Sequence, residues 1–143
     1  MAKLHWFAKE VMKNIDVRTK TVMDRIGRET VEDIKKSMVA GDFKPWKSKK
    51  GDGTIHWSSQ PDTPPAPDTK DLQKSIKYEV SKNENGTNNV IIYTDSIYSR
   101  SMEFGTNKGW GPVAPRPYMR PAIEKIKLKA LKYVELFKVR DYS

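Results

Sequence analysis

The chain contains no cysteine, which removes disulfides, thiolate nucleophiles and cysteine-based zinc sites together. A disulfide-stapled secreted domain is thereby excluded, whereas an intracellular or virion protein fits. Histidine is scarce too. The two present, His5 and His56, lie in different segments without a second histidine or acidic partner at zinc-binding spacing, so they read as surface or packing residues. No apolar run approaches the ~20 residues that span a bilayer. The amino terminus MAKLHWFAKEVMKNID alternates charge with apolar residues instead of building a signal-peptide core. The expectation is a soluble, untargeted chain with no membrane partner.

Catalytic signatures are equally sparse. There is no Gly-x-Ser-x-Gly, no glycine-rich loop ending in Gly-Lys-Ser/Thr, and no pair of carboxylates in an apolar run. The stretch FGTNKGWG holds Lys108, but it does not lead from a strand straight into a helix, as a phosphate cradle requires. The sequence therefore points away from an enzyme and assigns no catalytic residue, no cofactor and no metal.

What is present is positive charge. The 143 residues carry a formal net charge of +9, distributed unevenly. Residues 1–50 hold 13 basic and 7 acidic side chains, residues 51–115 hold 6 and 8, and residues 116–143 hold 8 and 3. A chain of this length builds one core. With helices at both ends, a basic field covers the helical layer, suited to phosphate or to an acidic protein surface, although lysine-rich faces are often merely solvated.

Four parts follow along the chain. Residues 1–40 read as helical: Met23, Ile26, Thr30, Val31, Ile34 and Met38 recur at three- and four-residue steps. Leu4, Val11 and Ile15 extend the stripe backwards as one helix, or as two in series with Asp16 capping the second. Residues 42–71 gather five of the nine prolines and two of the eight glycines and read as an arm or loop. A two-residue turn at Asp52-Gly53 would pair Lys50 with Ile55 and Ser48 with Trp57, placing Trp46 and Trp57 on one face of a projecting hairpin. Residues 72–115 carry the sheet: KSIKYEVSK and NNVIIYTDS, joined by NENGT, form an antiparallel pair within a sheet of three or four strands. Residues 116–143 form the last helix. Met119, Ile123, Ile126, Ala130, Tyr133 and Phe137 make its apolar stripe, and Lys125, Lys127, Lys129 and Lys132 occupy its other faces. Pro121 fits only the first turn, so the helix starts between Met119 and Pro121. The preceding APRPY runs extended, because Arg116 and Arg120 each precede a proline.

The least ordinary stretches are YSRSMEFGT (Tyr98 to Thr106) and PRPYMRPAIEK after it. Glu103 is the one acid at their centre, and Arg100, three residues earlier, can pair with it on a helix. Together with PPAPDTKDLQKSI before the strands, these motifs resemble the neck or tail-completion proteins of long-tailed bacteriophages. The likeness spans roughly Pro64 to Glu124. It rests on Tyr98, Glu103, Phe104, Gly105 and Thr106, then on Arg116, Pro117, Tyr118, Arg120, Pro121 and Ala122. Where that family tends to read Thr-Gly-x-Leu-x-x-Ser-Ile, this chain has Thr69-Lys70-Asp71-Leu72-Gln73-Lys74-Ser75-Ile76, with lysine in place of the glycine.

The resemblance implies a structural virion protein without enzymatic activity, made in the host cytoplasm and built into the head-tail neck. Its partners would be further copies of itself in a ring of six or twelve, and neighbouring connector, adaptor or tail-terminator proteins. Non-specific contact with packaged DNA would fall to Lys125, Lys127, Lys129 and Lys132. Trp46, Trp57, Tyr98, Glu103, Phe104, Gly105, Arg116, Pro117, Tyr118 and Arg120 are the expected interface residues. Within that junction Phe104 is expected to anchor in the core, Gly105 to allow a sharp turn, and the Arg-Pro lead-in to aim the helix. The expected fold is a single α+β domain, with a long N-terminal helix and a C-terminal helix packed on a small antiparallel sheet and an arm projecting from it. The rival reading is a sequence-independent nucleic-acid-binding module, for which four tryptophans and six tyrosines supply stacking surface.

Overall fold

The apolar stripe near the N-terminus forms one unbroken helix, α1 (Ala2–Val39). It is the longest element of the computed structural model, which describes residues 2–41, 43–47, 51, 53–67, 70–108 and 112–139, with backbone alone for 2–11, 46–47 and 134–139. No second helix begins at Asp16. That carboxylate instead accepts hydrogen bonds from Lys82 Nζ at 2.8 Å and Asn88 Nδ2 at 3.0 Å. Of the stripe, Ile26, Thr30, Val31, Ile34 and Met38 are buried. Thr30 returns its hydroxyl proton to the Ile26 carbonyl at 2.7 Å, so a polar group sits in the core without an unmet bond.

Four strands follow in two separate antiparallel pairs, β1 (Lys44–Lys47) with β2 (Ile55–Ser58), and β3 (Ile76–Lys82) with β4 (Asn88–Thr94). The expected central sheet of three or four strands is thus a two-stranded one plus a detached hairpin. Pro45 removes a ladder donor from the four-residue β1 and suits it to an edge position. The register of the hairpin also differs from expectation. Pro45 pairs with Trp57, position 46 with His56, and Lys47 with Ile55, three residues away from the pairing a two-residue turn would impose. An odd shift exchanges faces, so position 46 and Trp57 occupy rungs that point opposite ways. Asp52 and the Trp46 side chain lie outside the described residues.

β3 and β4 pair rung for rung from Ile76–Thr94 to Lys82–Asn88. Their turn is closed by Asn83, whose backbone N–H donates to the Thr87 carbonyl at 2.9 Å and whose side-chain oxygen accepts the Asn85 and Thr87 amides. α1 lies across both strands. Its mid-helix Gly27 is there for close approach: a methyl group at that position would collide with the Tyr78 ring, whose hydroxyl donates to Asp24 at 2.9 Å.

Two short helices escaped the sequence reading, α2 (Asp71–Ser75) before β3 and α3 (Ser99–Phe104) after β4. Each lasts barely more than a turn, too short for periodicity to register. Gln73 ties α2 to α1 by donating to the Lys35 carbonyl at 3.0 Å. The last helix, α4 (Met119–Val139), starts within the expected window and packs along α1. Tyr133 donates to Glu29, and Arg25 stacks 4.9 Å from the Tyr133 ring. The core is one cluster of Val31, Ile34, Met38, Ile76, Tyr118 and Ala122, which joins α1, the start of β3 and the start of α4.

Candidate functional site

The unusual motifs converge where α4 begins. The first amides of any helix lack intrahelical partners, and here a carboxylate from another element meets three of them. Glu103 accepts from the backbone N–H groups of Tyr118 and Met119 through Oε2, at 2.9 and 3.0 Å, and from that of Arg120 through Oε1 at 3.1 Å. The side chain is only 6% exposed. Burial alone would raise its carboxyl, but the three amides and the Arg120 guanidinium together hold it below the usual carboxylate range. The negative charge also sits at the positive end of the helix dipole. Glu103 is structural, as an ion pair with Arg100 would have made it, but its partner is Arg120, whose Nε lies 3.2 Å away. The i, i+3 neighbour loses because one flexible guanidinium offers the carboxylate nothing comparable to the three fixed amides at the start of α4.

Phe104 does not anchor in the core. It is 60% exposed, with the Arg120 guanidinium 4.7 Å from its ring centroid. Neighbouring helix positions point some 100° apart, so burying Glu103 turns Phe104 outward. Gly105 then takes φ 72 and ψ 171, a region open in practice only to glycine. A methyl group there would lie 2.7 Å from the Val113 carbonyl oxygen.

The extended lead-in to α4 is bonded on several sides. Thr106 and Val113 exchange backbone hydrogen bonds at 2.9 and 2.7 Å, Asp62 N–H donates to the Pro115 carbonyl at 2.9 Å, and Arg116 N–H donates to the Met102 carbonyl at 2.6 Å. The Arg116 guanidinium donates to the carbonyls of Ser59 and Ala114, and Pro117 follows it half-buried. Tyr118 is buried to 1%. Its hydroxyl makes no well-formed hydrogen bond. Burial, with the Glu103 charge adding to it and Ser99 offsetting part, pushes the phenol up to about 12.

On the other side of α3, Tyr98 and Trp57, 62% and 48% exposed, line an open cleft of about 360 Å³ together with Met38, Pro65, Met102 and Arg116. The structure therefore gathers Trp57, Tyr98, Glu103, Phe104, Gly105, Arg116, Pro117, Tyr118 and Arg120 around α3 and the start of α4. The lysines of α4 are placed differently. Lys125 and Lys129 face Asp33 of α1 at 3.2 and 4.0 Å, Lys127 reaches Glu124 at 2.9 Å, and Lys132 is exposed. Among the described residues no group of three or more histidine, aspartate or glutamate side chains could hold a metal ion, and no helix is long and apolar enough to cross a membrane.

The chain matches no family model, no curated protein and no solved structure.

Sequence reasoning missed four residues. Ser59 and Asp62 act through backbone atoms, which leave no side-chain signature. Leu128 and Leu131, 70% and 65% exposed, do have one: they sit three apart and off the Met119–Phe137 stripe, a second ridge legible on a helical wheel.

Proposed function

We propose that the chain is a structural subunit of a phage neck, assembling as a ring at the head-tail junction or the top of the tail, and that it is not an enzyme. The observation that carries this reading is the pairing of an exposed apolar surface with a fixed support. Ile97, Tyr98 and Phe104 are 83%, 62% and 60% exposed, in and just before a helix whose inner side is bound to α4 through Glu103. Large apolar side chains left exposed on a firmly held element are suited to docking. A docking surface repeated around a ring must present the same geometry in every copy, and the bonded lead-in supplies that rigidity. The partners on this reading are further copies of the chain and adjoining connector, adaptor or tail-terminator proteins.

The α4 lysines fit the nucleic-acid alternative less well, since Lys125 and Lys129 lie along an acidic residue of α1 and Lys127 along Glu124. Light scattering over a range of concentrations at two salt levels separates the readings. A discrete species of six or twelve copies is the expected result. A monomer that binds duplex DNA with steeply salt-dependent affinity would replace the ring reading with the alternative.

A further inference from the structure

Among the described residues, strand β4 has a long edge that no other strand pairs with. Among the described residues only β3 pairs with it, through seven consecutive rungs, so the backbone groups on its far side require water or another strand. Proteins keep such edges from pairing with charge, proline, bulges or a covering element. β3 has that protection in Lys77, Glu79 and Lys82. β4 lacks the charge, the proline and the bulge: Asn88 to Thr94 reads NNVIIYT, without a charge, proline or glycine, and its ladder runs unbroken. The face of β4 turned from α1 adds Ile91 and Tyr93, 42% and 36% exposed.

We infer that the β4 edge is a strand-addition surface and that its occupant is β4 of a second copy. The two strands pair antiparallel about a two-fold axis, giving a four-stranded sheet in the order β3-β4-β4-β3. The chemistry of the edge selects this partner. Full overlap of the seven-residue strands sets Ile91 against Ile91 and Tyr93 against Asn89, so no like charges oppose each other, and the exposed apolar row continues across the seam. A neighbouring β3 would instead bring its lysines and glutamate against an uncharged strand. This inference stands independently of the neck reading.

The absence of cysteine makes the test clean. Strands paired in this way bring opposed side chains within disulfide range. Under mild oxidation Ile91→Cys should form covalent dimers at least about tenfold faster than Glu79→Cys, the corresponding exposed position on β3. Ile91→Lys, which opposes two like charges at the axis, should weaken self-association in sedimentation by about tenfold or more with an unchanged thermal melt. The inference is overturned by Ile91→Lys associating like the parent, by a chain that stays monomeric at every concentration, or by cross-links that form only between Ile91→Cys and Glu79→Cys mixed together. A ring lacking Ile91 cross-links would leave the neck reading standing and remove this one. Dimers that go no further would do the reverse.

Discussion

Arg120 is held by two consecutive residues of α3. Glu103 Oε1 accepts its backbone amide at 3.1 Å and its guanidinium Nε at 3.2 Å, while the Phe104 ring lies 4.7 Å from the same guanidinium. One turn of helix thus fixes the start of another, and through Tyr118 and Ala122 the position of α4 in the core.

Removing the carboxylate should be costly for that reason. Glu103→Ala leaves three helix-terminal amides without their acceptor and should lower stability by about 2–3 kcal/mol. Arg100→Ala, at the position sequence adjacency favours as partner, should stay within about 0.5 kcal/mol of the parent. Urea unfolding of the two variants measures both. Equal effects would mean that the cap is not what holds α4.

Acid should weaken the same joint. The Glu103 carboxyl titrates lower in the folded chain than its ordinary value of 4.5. Its contribution is therefore complete above that ordinary value and is lost as pH falls through the lower folded one. Stability of the parent should decline over that acid range more steeply than that of Glu103→Gln, which has no proton to take up. Urea midpoints across the range would show the two curves converging.

Lys70 offers a gain. It takes φ 62 and ψ 4 immediately before α2, a left-handed conformation costing a residue with a Cβ about 1 kcal/mol or more. This is the position at which the sequence motif substitutes lysine for glycine. The side chain is exposed, so little packing is lost, and Lys70→Gly should stabilise by roughly 0.5–1 kcal/mol. A shift of the thermal midpoint to lower temperature would contradict the account.

Much of the fold was legible because its signals are periodic. The stripe from Met23 to Met38 gave α1, the alternation in KSIKYEVSK gave β3, and Pro121 bounded the start of α4 to within two residues. The site was legible as a set of residues and only partly as an arrangement. A pairing rule for neighbours on one helix finds Arg100 for Glu103. The true partners are amides 15 to 17 positions downstream, which no local rule reaches. The junction reading puts Phe104 in the core, but one side of α3 can bury only one of two consecutive residues, and the capping carboxylate occupies it. The β1–β2 register failed for a related reason. Asp52-Gly53 is a strong turn signal, yet the ladder closes farther out, and a three-residue shift exchanges the faces of a strand.

Gly105 tests the junction from the backbone side. Alanine there must adopt φ 72 and ψ 171 and place its methyl 2.7 Å from the Val113 oxygen and 3.0 Å from the Pro115 nitrogen. Both neighbours are backbone atoms, the first held in the Thr106–Val113 bridge and the second in a residue whose carbonyl accepts from Asp62, so neither gives way easily. Gly105→Ala should cost about 2–3 kcal/mol. Amide exchange should show faster opening at Thr106 and Val113 before the rest of the chain responds.

Alkaline conditions should weaken the core through Tyr118. Its phenol is pushed from an ordinary 10.0 up to about 12 in the folded protein, so the unfolded chain loses this proton first. The stabilisation is intact below the ordinary value and disappears as pH rises through the folded one, an effect of about 2–3 kcal/mol for a shift of this size. Tyr118→Phe removes the titrating group and a buried hydroxyl that makes no well-formed hydrogen bond. The variant should match or exceed the parent at neutral pH, since removing an unmet buried polar group is neutral or favourable. It should also lose less stability than the parent across the alkaline range. If the two proteins lost stability in parallel there, the alkaline weakness would belong to Tyr78 and Tyr133, whose phenols are also raised by the carboxylates they donate to.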